Sequence, residues 1–178
     1  MTYAFQAITT RRHNRFISEI YLALSDLLKL RKYEAMHEEQ ALVYEGNLYD
    51  VCSLVDIRNM QPKTQAEYRK SIIDLLPFVQ PDFMLFDKAG FLLNESETKV
   101  AGLPRLVVEI WSPSNREEER MLQKKLYSSR EAVEHWYIAQ DSNHVEAFIG
   151  AAKLPDKDLR GVMSTEFGVS LDLTYLAL

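Results

Sequence analysis

Apolar residues first recur at helical spacing, with Phe16, Ile17, Ile20, Tyr21, Leu24, Leu27 and Leu28 forming one stripe, which predicts an amphipathic first helix. Arg11, Arg12, His13 and Arg15 precede the stripe, and Lys29, Arg31 and Lys32 follow it. Residues 41–45 and 48–57 read as two strands joined by a tight turn at Gly46-Asn47. A polar stretch over 58–70 breaks the core pattern, and the short apolar run over 71–78 fits either a helical or a strand period. A strand is predicted over 81–87, a polar loop over 88–99 and a strand over 106–111. A second helix follows over 115–128, rich in Glu, Arg, Lys and Leu, with Ser114 and Glu117 at capping-box spacing. Residues 136–139 and 145–149 flank a turn at Asp141-Ser142-Asn143, and 168–173 reads as one more strand. This order predicts an α/β (α+β) fold, a mixed central sheet flanked by helices, without internal repeats.

Composition bounds what such a fold can be. With 178 residues, 47% hydrophobic and 26% charged, the chain suits one domain over 1–178. Cys52 has no second cysteine to pair with, no apolar run approaches a membrane span, and the first residues lack a signal-peptide pattern, so a cytoplasmic protein with no membrane association is expected. A net charge of -5 argues against a strong nonspecific hold on duplex DNA. It leaves room for a nuclease, whose acidic site is completed by a cation.

The chemistry centres on Glu109. It interrupts the apolar run Leu106-Val107-Val108-Glu109-Ile110-Trp111, and strand alternation puts it on one face with Val107 and Trp111 while Leu106, Val108 and Ile110 take the other. Both faces read as buried, and a buried carboxylate requires a partner, a metal or a raised pKa. Asp82 begins its own strand directly after Pro81 and shares a face with Met84 and Phe86. If the two strands are neighbours, the acids converge. At roughly 4 Å and an effective dielectric of about 20 they would repel by about 4 kcal/mol, which magnesium or manganese would offset. On the second helix, Met121, Leu122 and Leu126 mark an apolar arc that includes Lys125, with Lys124 just outside it. An inward lysine can carry its amine to the end of the core and stabilise a transition state.

Each residue also has a plainer reading. Glu109 could be a strand-end side chain in water, Asp82 a turn cap, and Lys124 and Lys125 a solvated helix face. Trp111 and Trp136 are expected in the core. Arg11, Arg12, His13 and Arg15 suit an exposed helix start better than a phosphate contact, and Glu19 is a weak third acid. Ser112 and Ser114 lack the glycines of a nucleophile elbow. His37-Glu38-Glu39-Gln40-Ala41 lacks the second histidine of a zinc protease helix, and there is no glycine-rich phosphate loop.

Taken together, Pro81-Asp82, the run from Leu103-Pro104-Arg105 through Glu109 to Ser112-Pro113-Ser114, the lysine-bearing helix ending at Tyr127, and Glu134-His135-Trp136 resemble the Uma-type family of restriction endonuclease-like proteins, within the PD-(D/E)XK nuclease superfamily. The resemblance runs from Arg12-His13 to the segment Gly168 to Leu173. It implies a restriction endonuclease-like core and an endonuclease acting on DNA phosphodiester bonds. Asp82 and Glu109 would be the metal-binding acids, and the backbone carbonyl of Ile110 a further ligand. Trp111 stands where the superfamily's strand lysine would be. In similar Uma-type proteins the lysine has moved to the following helix, four residues before the tyrosine, where this chain has Gln123. Spacing favours Lys124 as the substitute and the helical wheel favours Lys125. A homodimer is expected by the same resemblance. The rival from another class is a catalytically inactive nuclease-fold binding or regulatory module, and a rival enzyme would cut RNA with the same groups.

Overall fold

The computed structural model describes residues 11–30, 32–37, 41–43, 67, 70, 73–74 and 78–178. The predicted turn at Gly46-Asn47, the strand over 48–57 and most of 58–78 lie outside them.

The first helix, α1, spans Arg11–Lys29 and buries His13, Phe16, Ile20 and Leu24, one stripe at intervals of three and four. Strands β1 (Tyr33–His37) and β2 (Ala41–Val43) follow, then β3 (Phe83–Asp87), β4 (Phe91–Leu93), β5 (Lys99–Gly102) and β6 (Leu106–Trp111). Helix α2 (Glu117–Ser128) leads to β7 (Glu134–Ala139) and β8 (His144–Ile149). The short strands β9 (Ala152–Lys153), β10 (Lys157–Asp158), β11 (Val162–Ser164) and β12 (Ser170–Asp172) precede a 3-10 turn at Thr174–Leu176.

The main sheet has the order β1-β3-β6-β7-β8-β10, with β9 also paired to β8. Its β6–β7 pair is parallel and the others are antiparallel. A parallel neighbour requires a crossover, which α2 supplies. Alternation sorts the strand residues between two cores. Phe83, Leu85, Leu106, Val108, Ile110 and Trp136 join α1 on one face. Met84, Phe86, Val107, Trp111, Tyr127 and Tyr137 pack on the other, beneath α2. Every residue of β6 is buried, as its apolar run predicts, and Trp111 and Trp136 are core.

The segment expected as a polar loop over 88–99 contains β4. Phe91, Leu92 and Leu93 are too few to show a period, but they pair antiparallel with β5, which in turn pairs with β2. The cap of α2 also differs from expectation. It is Arg116, whose own N–H donates to Glu119, so the box lies two residues beyond Ser114 and Glu117. Ser114 instead pairs its hydroxyl with Ser112, whose backbone N–H is held by Asn115 Oδ1. The reversal after β8 uses Gly150 at φ 53°, packed so that an added Cβ would lie 2.8 Å from Glu131 Cα. Among the described residues no helix is long and apolar enough to cross a membrane.

Candidate active site

The pairing of β3 with β6 ends at Phe83 opposite Val108, and one step further Asp82 falls opposite Glu109. Pro81 would then face Ile110. Proline has no N–H, so it cannot donate to the Ile110 carbonyl as an ordinary ladder residue would. Asp82 takes over the other half of the interrupted ladder: its Oδ2 accepts from the Ile110 N–H at 2.6 Å. Its Oδ1 lies 2.9 Å from Nε2 of His13, which reaches in from the first turn of α1. The Pro-Asp pair therefore sets a carboxylate in the plane of the sheet, at the place where the strand stops.

Glu109 sits on the α2 face, 3% exposed. Its Oε1 accepts from the Tyr127 hydroxyl at 2.5 Å, and the Gln123 side chain is a further hydrogen-bond partner. Burial drives its pKa well above the ordinary carboxylate value of 4.5, and the charge of Asp82 pushes in the same direction; the bonds from Tyr127 and Gln123 oppose both. The register of β3 on β6 thus sets the two acids on neighbouring strands.

The helix presents a different line from the one the apolar wheel suggests. Arg120, Gln123, Lys124 and Tyr127, spaced by three, one and three, form its inner face. Arg120 Cζ and Lys124 Nζ each lie 5.0 Å from the Trp111 ring centre, and the Trp111 indole N–H donates to Gln123 Oε1 at 3.1 Å. Met121, counted in the apolar arc, is 63% exposed. Lys125, placed in the inward arc by the same wheel, is exposed. The wheel misphases because the inward residues are polar-tipped, matching a strand that carries an acid and an indole. Lys124 is half-buried and its amine pairs with Glu146 of β8 at 2.5 Å, over the rings of Trp111, Tyr137 and Phe148. Gln123 holds the place four residues before Tyr127.

Asp82, Glu109 and the Ile110 backbone are therefore brought to one strand end, Lys124 lies over the Trp111 ring and pairs with Glu146, and Lys125 is turned outward. Glu19 is engaged with Arg15, at 4.0 Å. From the sequence alone, none of His13, Gln123, Tyr127 and Glu146 reads as a partner of the site residues, Gln123 and Tyr127 entering only as markers of the helix lysine's place. The spacing of residues 120, 123, 124 and 127 was the signal for two of them, whereas nothing local announces His13 or Glu146.

The donor chemistry suits a hard divalent cation. Two carboxylates and a backbone carbonyl are all oxygen donors, and magnesium commonly takes one or two protein carboxylates and keeps several waters. Among the described residues no three His, Cys, Asp or Glu side chains cluster as a metal group, so such an ion would rest on the two acids and the Ile110 carbonyl.

The sheet order and the parallel β6–β7 crossover define a restriction endonuclease-like nuclease fold. The chain is similar to a solved structure from Anabaena variabilis described as a putative nuclease belonging to DUF820, with a TM-score of 0.62 at 14% identity, covering 97% of this chain and 86% of that one. None of the curated proteins matches. The model of the Uma2 family, described as "putative restriction endonuclease", matches residues 69–158, and the chain belongs to that family.

Proposed function

We propose that this protein is a divalent-metal-dependent endonuclease that hydrolyses DNA phosphodiester bonds at the strand end shared by Asp82 and Glu109. The observation that carries the reading is the register of β3 on β6, one step beyond which Asp82 falls opposite Glu109, with the Ile110 N–H donating to Asp82. Magnesium or manganese, when bound, supplies acidification of a water and neutralisation of charge building on the phosphodiester. The chain supplies the rest. His13 and the Ile110 N–H fix the Asp82 carboxylate, while Tyr127 and Gln123 fix that of Glu109. Lys124 is the amine this reading assigns to the substrate, its flexible stem able to exchange Glu146 for an anionic oxygen. Lys125, outward in this structure, is the lesser candidate for that role.

Purified protein should nick or degrade DNA with magnesium or manganese, and Asp82→Ala should abolish the activity. Persistent cleavage by that variant overturns the reading. A specific observation favours a second one, a nuclease-fold module without hydrolysis: Gln123 occupies the helix lysine's place, and Glu109 lies sealed beneath Tyr127. Manganese titration by calorimetry separates the two. A competent site binds the ion and Glu109→Gln weakens it; a relic shows no such binding. RNA as substrate would engage the same groups, and a panel of DNA and RNA oligonucleotides distinguishes it.

A further inference from the structure

At the start of α1 lies a second feature that the hydrolytic reading leaves unused. A groove of about 510 Å³ is lined by Arg11, Arg12, Arg15, Tyr175, Leu176 and Ala177. Three guanidinium groups and an aromatic ring line it, with no acidic side chain among them, in a chain whose net charge is -5. Two of the arginines are held in place by carbonyls: Arg12 Nη2 donates to Leu176 at 3.1 Å and Arg15 Nη2 to Tyr175 at 3.3 Å. Each guanidinium has five N–H donors, so fixing one leaves others for a ligand. The Glu19 carboxylate stands 4.0 Å from Arg15 Nε, outside the lining, and offsets part of that charge. Arg11 is exposed, and Tyr175 is 75% exposed. An aromatic ring left in solvent beside preorganised guanidinium groups suits an unstacked base next to its backbone phosphates. The same first turn of α1 serves both places, since Arg12 lines the groove and the next residue, His13, sets its Nε2 2.9 Å from Asp82.

We propose that this groove binds a single strand of nucleic acid, with Arg11, Arg12 and Arg15 on successive phosphates and a base stacked on Tyr175. It would deliver the strand to the Asp82–Glu109 end of the sheet. The proposal rests on the nuclease reading for its purpose but not for its test, because binding is measured without catalysis.

The experiment is fluorescence anisotropy of a labelled single-stranded oligonucleotide with the full chain in excess chelator, over a range of salt. Arg11→Ala combined with Arg15→Ala should weaken binding on the order of tenfold or more, and should reduce the slope of log affinity against log salt by about 1.4, for two phosphate contacts at roughly 0.7 each. Tyr175→Ala should weaken binding on the order of tenfold with the salt slope unchanged, and Tyr175→Phe should restore it, since stacking needs the ring and not the hydroxyl. Arg11 and Tyr175 are exposed, so these changes leave the core intact. Three results would overturn the proposal: no binding by the unaltered protein, full affinity in Tyr175→Ala, or displacement of the strand by inorganic phosphate at equal phosphate concentration, which marks a free-anion site. If the groove variants lose binding but the unaltered protein never cleaves with magnesium or manganese, hydrolysis fails and the groove stands. If cleavage proceeds and the variants bind and cut normally, the groove fails alone.

Discussion

A buried carboxyl group hydrogen-bonded to Tyr127 and Gln123 holds its proton more tightly in the folded chain than in the unfolded one. For Glu109 the folded pKa is raised, so its contribution to stability is fully present below the ordinary value near 4.5 and is lost as pH rises through the folded value. Glu109→Gln removes that loss. The variant should therefore melt at a higher temperature than the parent at pH 8, with the gap closing toward pH 4.5, while losing any manganese binding. A variant less stable than the parent at pH 8 would contradict this account. His135 has the opposite sign. Burial lowers its pKa from 6.5; its Nε2 faces the Gly150 carbonyl at 2.9 Å and its Nδ1 the Tyr137 hydroxyl at 2.9 Å. The carbonyl can only accept, so in the neutral ring Nε2 carries the proton and Tyr137 donates to Nδ1. Stability from this group is intact above pH 6.5 and falls as pH drops through and below it. Compared with the parent in acid–urea titrations, His135→Gln should show a shallower loss between pH 6.5 and 5. At this scale Asp82 and Glu109 were legible because a period of two assigns faces and a proline marks a strand start. His13 was visible only as a member of a basic helix start, since the contact that gives it a role spans 69 positions of sequence.

Elements explain why the helical wheel places Lys125 inward when it is exposed. Helical periodicity locates an inward face from apolar residues, but α2 turns Arg120, Gln123, Lys124 and Tyr127 toward β6, leaving Met121 in solvent. A line spaced at three and four was present in the sequence; its polar tips disguised it. The short strands β9 to β11 were hidden for another reason: two or three residues show no period, and neighbouring strands define them. The Lys124–Glu146 pair joins α2 to β8. Glu146→Gln should free the amine, raising the cleavage rate several-fold if Lys124 serves the phosphate, whereas Lys124→Met should lower it; equal rates in all three proteins would remove Lys124 from the mechanism. The turn after β8 has its own requirement. Gly150→Ala places a methyl against Glu131 at positive φ, and should destabilise the protein by about 1–3 kcal/mol in urea unfolding.

Across the whole molecule, the mixed sheet places the two candidate acids at one end of the β3–β6 seam and a packed layer on each face. The fold class was readable from element order, because a helix set between two buried apolar strands implies a parallel crossover. The assembly of its parts was not, since a sequence shows no pairing partners. If two such sites act on opposite strands of a duplex, a twofold dimer is the economical arrangement; sedimentation should then show twice the chain mass, and a monomer would confine each encounter to one nick.

The core between the sheet and α1 also fixes when folding can finish. Val169, Leu171, Leu173 and Leu176 complete the layer that Phe16, Ile20 and Leu24 begin, and Arg12 bonds a carbonyl 164 positions away. A growing polypeptide must keep that greasy helix waiting until residues 169–176 clear the ribosome tunnel. Contacts so distant in sequence slow the search, and the interval leaves an uncovered surface on which chaperones would act.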